Sequence, residues 1–164
     1  MSNNYLQFAT ALVLRTPEEK TWCEWTLGAF AALFDSERPW EVAEHAAALG
    51  PLADRATNEG WESVDFEWDI APLPSGEPGV ARVLFYAEES GNAEQVAAVI
   101  QVYLQKFDPK RVHWFAWAYT CSKMRVYEFG GGAVVITATH TRYLDVQTWA
   151  QEQVAPMAKQ VQVL

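Results

Sequence analysis

Between Ser63 and Ile70 apolar and acidic residues take turns: Val64, Phe66, Trp68 and Ile70 alternate with Asp65, Glu67 and Asp69. Successive side chains of a strand leave opposite faces, so this run predicts a strand with one oily and one acidic face. Pro72, Pro74, Gly76, Pro78 and Gly79 follow as a connecting loop, and Val80 to Ala87 reads as the next strand. The pair predicts a hairpin with a long tip.

The rest of the chain supplies elements that frame this hairpin. Tyr5 to Leu14 is a continuous apolar run and predicts a buried strand. Thr16-Pro-Glu-Glu19 has the form of a capping box with proline at the first helical position, and Cys23, Leu27, Phe30 and Phe34 recur at helical spacing behind it. Ser36 to Pro39 interrupts that helix; Pro39 opens a second, which Gly50-Pro51 closes, and a short helical piece precedes Gly60. Asn92 predicts a helix start with Gln95 at the third position and a stripe of Val96, Val99, Ile100, Tyr103, Leu104 and Phe107. Val112 to Tyr119 is apolar or aromatic at every second position on both faces, the pattern of a central strand covered on two sides. Ala133 to Ala138 predicts a strand, and Thr148 to Val161 a terminal helix with Trp149, Val154, Met157 and Val161 as docking residues and Pro156 as a kink. The order predicts one α+β domain over residues 1–164. Its core is a ferredoxin-like βαββαβ arrangement in one mainly antiparallel sheet, extended by an extra strand and a C-terminal helix.

At 164 residues the chain is long enough to bury a substantial core, roughly 70% of its unfolded surface. Half apolar and with eight tryptophans, it does not have the composition of a disordered protein. No run reaches the 18 or so apolar residues of a membrane span, and Met1-Ser-Asn-Asn-Tyr-Leu lacks the basic start and apolar core of a signal peptide. Cys23 and Cys121 are far apart and match no metal-ligand spacing. These features predict a reduced, cytoplasmic protein without a disulfide, a metal or a cofactor. The net charge of −9 divides unevenly: residues 1–94 hold 17 acids and 5 bases, residues 95–164 hold 4 acids and 7 bases. The acidic part repels nucleic acid and membrane phosphates, and the basic part is too weakly charged for a DNA-binding module. Direct nucleic-acid binding and membrane association are therefore not expected.

Four groups of residues are candidates for chemistry or binding. Glu88 and Glu89, before Asn92, sit between a strand and a helix start; they suit a divalent cation or acid–base work, or simply complement the helix dipole. Cys121 has Lys123 and Arg125 close in sequence, a setting that favours a thiolate, but the only local histidines are His113 on the preceding strand and His140 beyond the next, neither of which the sequence brings to the thiol, and a half-buried structural thiol fits as well. Gly130-Gly-Gly132 lacks the lysine and following helix of a phosphate loop and reads as a bulge or a close backbone approach at a strand start, with positive φ at one glycine or more. Asp65, Glu67 and Asp69 form an acidic stripe that mimics nucleic-acid phosphates or docks a basic protein, or else is a solvated face. The loops from Ala87 to Asn92 and from Cys121 to Phe129 are predicted to meet at one end of the sheet, where Glu88 or Glu89 pairs with Lys123 or Arg125.

Glu88-Glu-Ser-Gly-Asn92, then Cys121-Ser-Lys with Arg125, then Glu128-Phe-Gly-Gly-Gly-Ala-Val-Val-Ile-Thr137 resembles a group of small proteins of phage and plasmid genomes. The resemblance covers residues 85–138; proline often stands where this chain has Met124. It carries no catalytic role over to these residues, and it implies a mobile-element setting in which small acidic proteins bind host factors. Three functions follow as expectations. The first is a non-enzymatic binding or regulatory protein with a protein partner, centred on Glu88, Glu89, Asn92, Cys121, Lys123, Arg125, Glu128 and the Asp65, Glu67, Asp69 stripe. The others are a small hydrolytic or thiol-dependent enzyme around Glu88, Glu89, Cys121, Arg125 and Glu128, and a homodimeric scaffold joined through its sheet.

Overall fold

A computed structural model describes residues 4–35, 37–126 and 128–162, with backbone alone at 161 and 162. Ser36, in the predicted helix break, and the side chain of Val161 lie outside the described residues. In chain order the elements are β1 (Asn4–Leu14), α1 (Pro17–Ala32), α2 (Pro39–Leu49), α3 (Pro51–Asn58), β2 (Glu67–Ala71), β3 (Ala81–Ala87), α4 (Ala93–Phe107), β4 (His113–Cys121), β5 (Gly130–Ile136), β6 (Thr141–Asp145) and α5 (Val146–Gln162). The fold is α+β. Among the described residues six strands form one sheet in the order β2-β3-β1-β4-β5-β6, and each neighbouring pair is antiparallel. Among the described residues no helix is long and apolar enough to cross a membrane.

One face of the sheet carries the core. Phe8, Leu12 and Leu14 of β1, Val83 and Phe85 of β3, Phe115 of β4 and Val134 and Ile136 of β5 are buried with Leu27 and Phe30 of α1 and Val96, Ile100, Tyr103 and Leu104 of α4. Alternate burial along β3 records this directly, every second residue from Ala81 to Ala87 being buried. Phe66, just ahead of β2, stacks on Phe30 with ring centroids 6.3 Å apart and meets Phe85 edge-on at 5.9 Å. Each large apolar side chain removed from water in this way contributes about 1.5–3 kcal/mol.

Both major helices start on their predicted caps. The Thr16 hydroxyl accepts the Glu19 N–H at 3.2 Å, with Pro17 in the first turn. The Asn92 side-chain oxygen Oδ1 accepts the N–H groups of Glu94 and Gln95 at 3.0 and 3.3 Å. The acceptor side chains at the third position do other work, however. Glu19, only 4% exposed, accepts the Arg15 N–H at 2.5 Å and the Tyr103 hydroxyl at 2.9 Å. Gln95 accepts the Asp65 N–H and donates to the Ser63 carbonyl, both at 2.8 Å. With the Asn92 N–H donating to the Asp65 carbonyl at 2.6 Å, the backbone of Ser63 to Asp65 is committed to the α4 cap. That shortens the alternating strand: β2 begins at Glu67, and Asp65 stands outside it.

Other expectations change with the tertiary structure. Strand β4 is central but covered on one side only, because α1 and α4 pack on the same face; Trp114 on the opposite face is 67% exposed. The sheet gains two strands beyond β4 rather than one, β6 being a five-residue edge strand too short to stand out in the sequence. Helix α5 starts directly from β6, the Asp145 carboxylate accepting the Thr148 N–H at 2.8 Å, and Trp149, Val154 and Met157 remain exposed instead of docked. Gly130 opens β5 as predicted, yet positive φ occurs at Gly50, Gly60, Gly76 and Gly79 and at none of the triple glycine. The run is needed for clearance: Cβ atoms on Gly131 and Gly132 would overlap the Trp117 carbonyl and the Trp117 ring.

Candidate functional site

Antiparallel pairing gathers the interesting loops at one end of the sheet, where β1 and β5 begin and β3, β4 and β6 finish. Asn4 pairs with Cys121 and Leu6 with Tyr119, while the Leu6 N–H donates to the Glu89 carbonyl at 2.9 Å. The two predicted loops thus reach the same end and flank the start of β1. They do not join through their charges. Arg125 pairs within its own hairpin with Glu128 at 3.5 Å, and among the described residues Glu88 and Glu89 take part in no ion pair with Lys123 or Arg125. A three-residue separation brings Arg125 to Glu128 without crossing β1, which is why the local pair forms.

Cys121 donates its thiol to the Glu128 carboxylate at 2.9 Å. Neither His113 nor His140 is placed to act on it. His113 is at the other end of β4, about 26 Å along the strand at about 3.3 Å per residue, and His140 lies in the β5–β6 turn beyond Ile136, the pairing partner of His113. The hydrolytic or thiol-dependent reading therefore lacks a histidine base at its thiol. Met124 and Val126 at the tip of the same hairpin are 93% and 77% exposed.

Both cysteines are free. Burial, reinforced by Glu19 and Glu24, pushes the Cys23 thiol up to about 12, whereas Cys121 is only half-buried. One thiol per native chain should react rapidly with a chromogenic disulfide reagent at pH 8. Cys121→Ser should abolish that phase, leaving Cys23 to react only in denaturant. A rapid phase surviving in Cys121→Ser would contradict this placement.

The acidic stripe survives in part. Glu67 and Asp69 lie on the open face of β2 opposite Tyr86 and Leu84. A hydrogen bond to Glu67, then the charges of Glu67, Asp69 and Glu88, raise the Tyr86 hydroxyl above its usual range. Asp65 belongs instead to a cleft of about 340 Å³ on the core side of the sheet end, shared with Asn92, Glu94, Trp117, Tyr119 and Tyr143. Trp117 and Tyr143 have ring centroids 6.4 Å apart. The Arg55 charge acts on the Tyr143 hydroxyl, and its guanidinium lies 5.9 Å from the ring centroid of Trp61. Among the described residues neither Asp65 nor Glu94 is in an ion pair. Nothing local in the sequence marks the aromatic members, because they come from β4 and β6 and only pairing through β5 brings Trp117 near Tyr143. The surplus of tryptophan was the one available signal.

At the far end, His113 Nε2 lies 2.9 Å from the Thr10 hydroxyl. Burial, then the neighbouring Arg111 charge, lowers its pKa from 6.5 to about 4. The unfolded chain binds this proton more readily than the folded one, so the group's contribution is complete above pH 6.5 and is lost as pH falls toward 4. Urea denaturation of the parent should lose roughly 2–3 kcal/mol more across that window than His113→Asn does. Parallel pH profiles for the two proteins would refute it.

No family model, curated protein or solved structure matches the chain.

Proposed function

We propose that this chain is a non-enzymatic protein-binding protein whose sheet-end cleft takes a lysine or arginine side chain of a protein partner, in keeping with the mobile-element setting that residues 85–138 suggest. The observation that carries this reading is the meeting of Asp65 and Glu94 with Trp117, Tyr119 and Tyr143 in one cleft. Carboxylates offer charge-assisted hydrogen bonds to a cation, and aromatic faces attract it through their quadrupoles. Arg55 gives an internal precedent, its guanidinium lying over the Trp61 ring at 5.9 Å from the centroid. The exposed Lys123, Met124, Arg125 and Val126 tip stands at the same sheet end. We also read β1 to β4, with α1 and α4, as a ferredoxin-like core, on the support of the order β2-β3-β1-β4 with its helices on one face.

Calorimetric titration with short peptides, each bearing arginine, lysine, glutamate or only neutral residues, tests the cleft. Arginine and lysine peptides should bind, and Asp65→Asn with Glu94→Gln should weaken them about tenfold or more, whereas Glu77→Gln should leave binding unchanged. Equal binding of acidic or neutral peptides, or no binding of basic ones, would overturn the proposal.

A further inference from the structure

We infer that the open face of the sheet is covered by a second copy of this chain, with the two-fold axis parallel to the strands. The face away from α1 and α4 is apolar at its centre, acidic at its β2 edge through Glu67 and Asp69 and basic at its β6 edge through Arg142, with Arg82 of β3 a further positive charge at the end beside Val13 and Ala71. Strand pairing places Asp69, Leu84 and Ala11 in one cross-strand row. Continuing the β1–β4 register carries that row to Trp114, Val135 and Arg142. The adjacent row runs Glu67, Tyr86, Ala9, Ala116, Ala133, Leu144. Trp114, Val135 and Leu144 are 67%, 43% and 48% exposed around alanines that leave a shallow depression over β1 and β3. A face of this kind has the apolar centre and polar rim of an interface.

Two features select a second copy and fix its orientation. The first is charge. An axis parallel to the strands lays the β2 edge of each copy against the β6 edge of the other, so Asp69 and Glu67 face Arg142 twice over. The alternative axis, across the strands, lays the acidic β2 edge of each copy on that of the other and leaves Arg142 with no acid opposite, which like-charge repulsion disfavours. The second is area. Six strands at about 4.8 Å spacing and seven residues at about 3.4 Å give a face of about 24 by 24 Å, roughly 580 Å² before side-chain relief. Standard interfaces bury roughly 800 Å² per partner. Helix α5 supplies more: it leaves the β6 edge at once, so in this arrangement it emerges beside the second copy's β2 edge with Trp149, Val154 and Met157 still exposed. A helix of this length gains most of its stability from tertiary packing, and within a single copy its apolar residues pack on little.

Sedimentation equilibrium of the full chain tests the assembly. The parent should sediment at twice the 18.5 kDa chain mass. Ala116→Arg, at an exposed position that leaves the core intact, should raise the dimer dissociation constant at least about 100-fold with an unchanged circular dichroism spectrum. Asp69→Arg and Arg142→Asp should each weaken the dimer roughly three- to tenfold, and the double exchange should recover most of that loss. A monomer at several hundred micromolar, as when another protein covers the face, would overturn the inference. So would a dimer indifferent to Ala116→Arg, or a double exchange no better than either single change. Peptide binding at the sheet-end cleft is read separately, on the other side of the sheet.

Discussion

Gly132→Ala is expected to destabilise the protein by about 3 kcal/mol or more, because an added methyl has nowhere to go. Gly132 pairs with Trp117 on one side and Asp145 on the other. A Cβ there would fall inside the van der Waals radius of Trp117 Cζ2 and of the Leu144 carbonyl oxygen at once. The indole is wedged between Phe115 and Tyr143, with centroids 6.2 and 6.4 Å away, and the carbonyl belongs to the β6 ladder. Relief therefore requires parting β5 from β4 or from β6. Gly130→Ala provides the contrast. Its Cβ would meet nothing nearer than the flexible Gln147 side chain at 3.4 Å, and its φ is not in the left-handed region. That change should be neutral or stabilise by up to about 1 kcal/mol through the unfolded state. Chemical denaturation of the two variants should separate them clearly; equal losses would mean that backbone entropy, not clearance, explains the glycines.

The second large effect is expected at Glu19. Its carboxylate is buried and accepts the Tyr103 hydroxyl and the Arg15 backbone N–H, while the Arg15 guanidinium reaches Asp108 at 2.7 Å and stands 3.9 Å from Glu19. Burial, then the bond to Glu19, raises the Tyr103 hydroxyl well above its usual range, so it remains a donor throughout the ordinary pH scale. Glu19→Ala leaves that hydroxyl and the Arg15 N–H without their acceptor and opens space between α1 and α4. The expected loss is about 3 kcal/mol. Tyr103→Phe, which removes the hydroxyl donor but leaves the carboxylate the Arg15 N–H, should cost roughly 1–2 kcal/mol. The double variant removes both partners of the bond, so its loss should be at least about 1 kcal/mol smaller than the sum of the singles. Additive losses in urea denaturation would show that the two side chains do not support each other.

Much of the fold was legible from local chemistry. Thr16 and Asn92 cap their helices as read, Pro39 opens a helix that ends at Gly50, and the stripe Val96, Val99, Ile100, Tyr103, Leu104 is the buried face of α4. These signals are local because a cap or a helical stripe is satisfied within a few residues. The sequence also determined that one face of β2 would be acidic, since alternation is built into the pleat. What only the tertiary structure decided depends on partners distant in the chain. Gln95 took the backbone of Ser63 and Asp65 and moved Asp65 from the acidic stripe to the cleft, a choice set by hydrogen bonds across thirty residues. Placement of both major helices on one face left β4 half-covered, although its side chains are apolar or aromatic on both faces. Arg125 found Glu128 before any carboxylate across β1, and Trp117 met Tyr143 only through two strand pairings. Caps and periodicity are written residue by residue, whereas the site and the open face arise from which sides of the sheet the helices happen to cover.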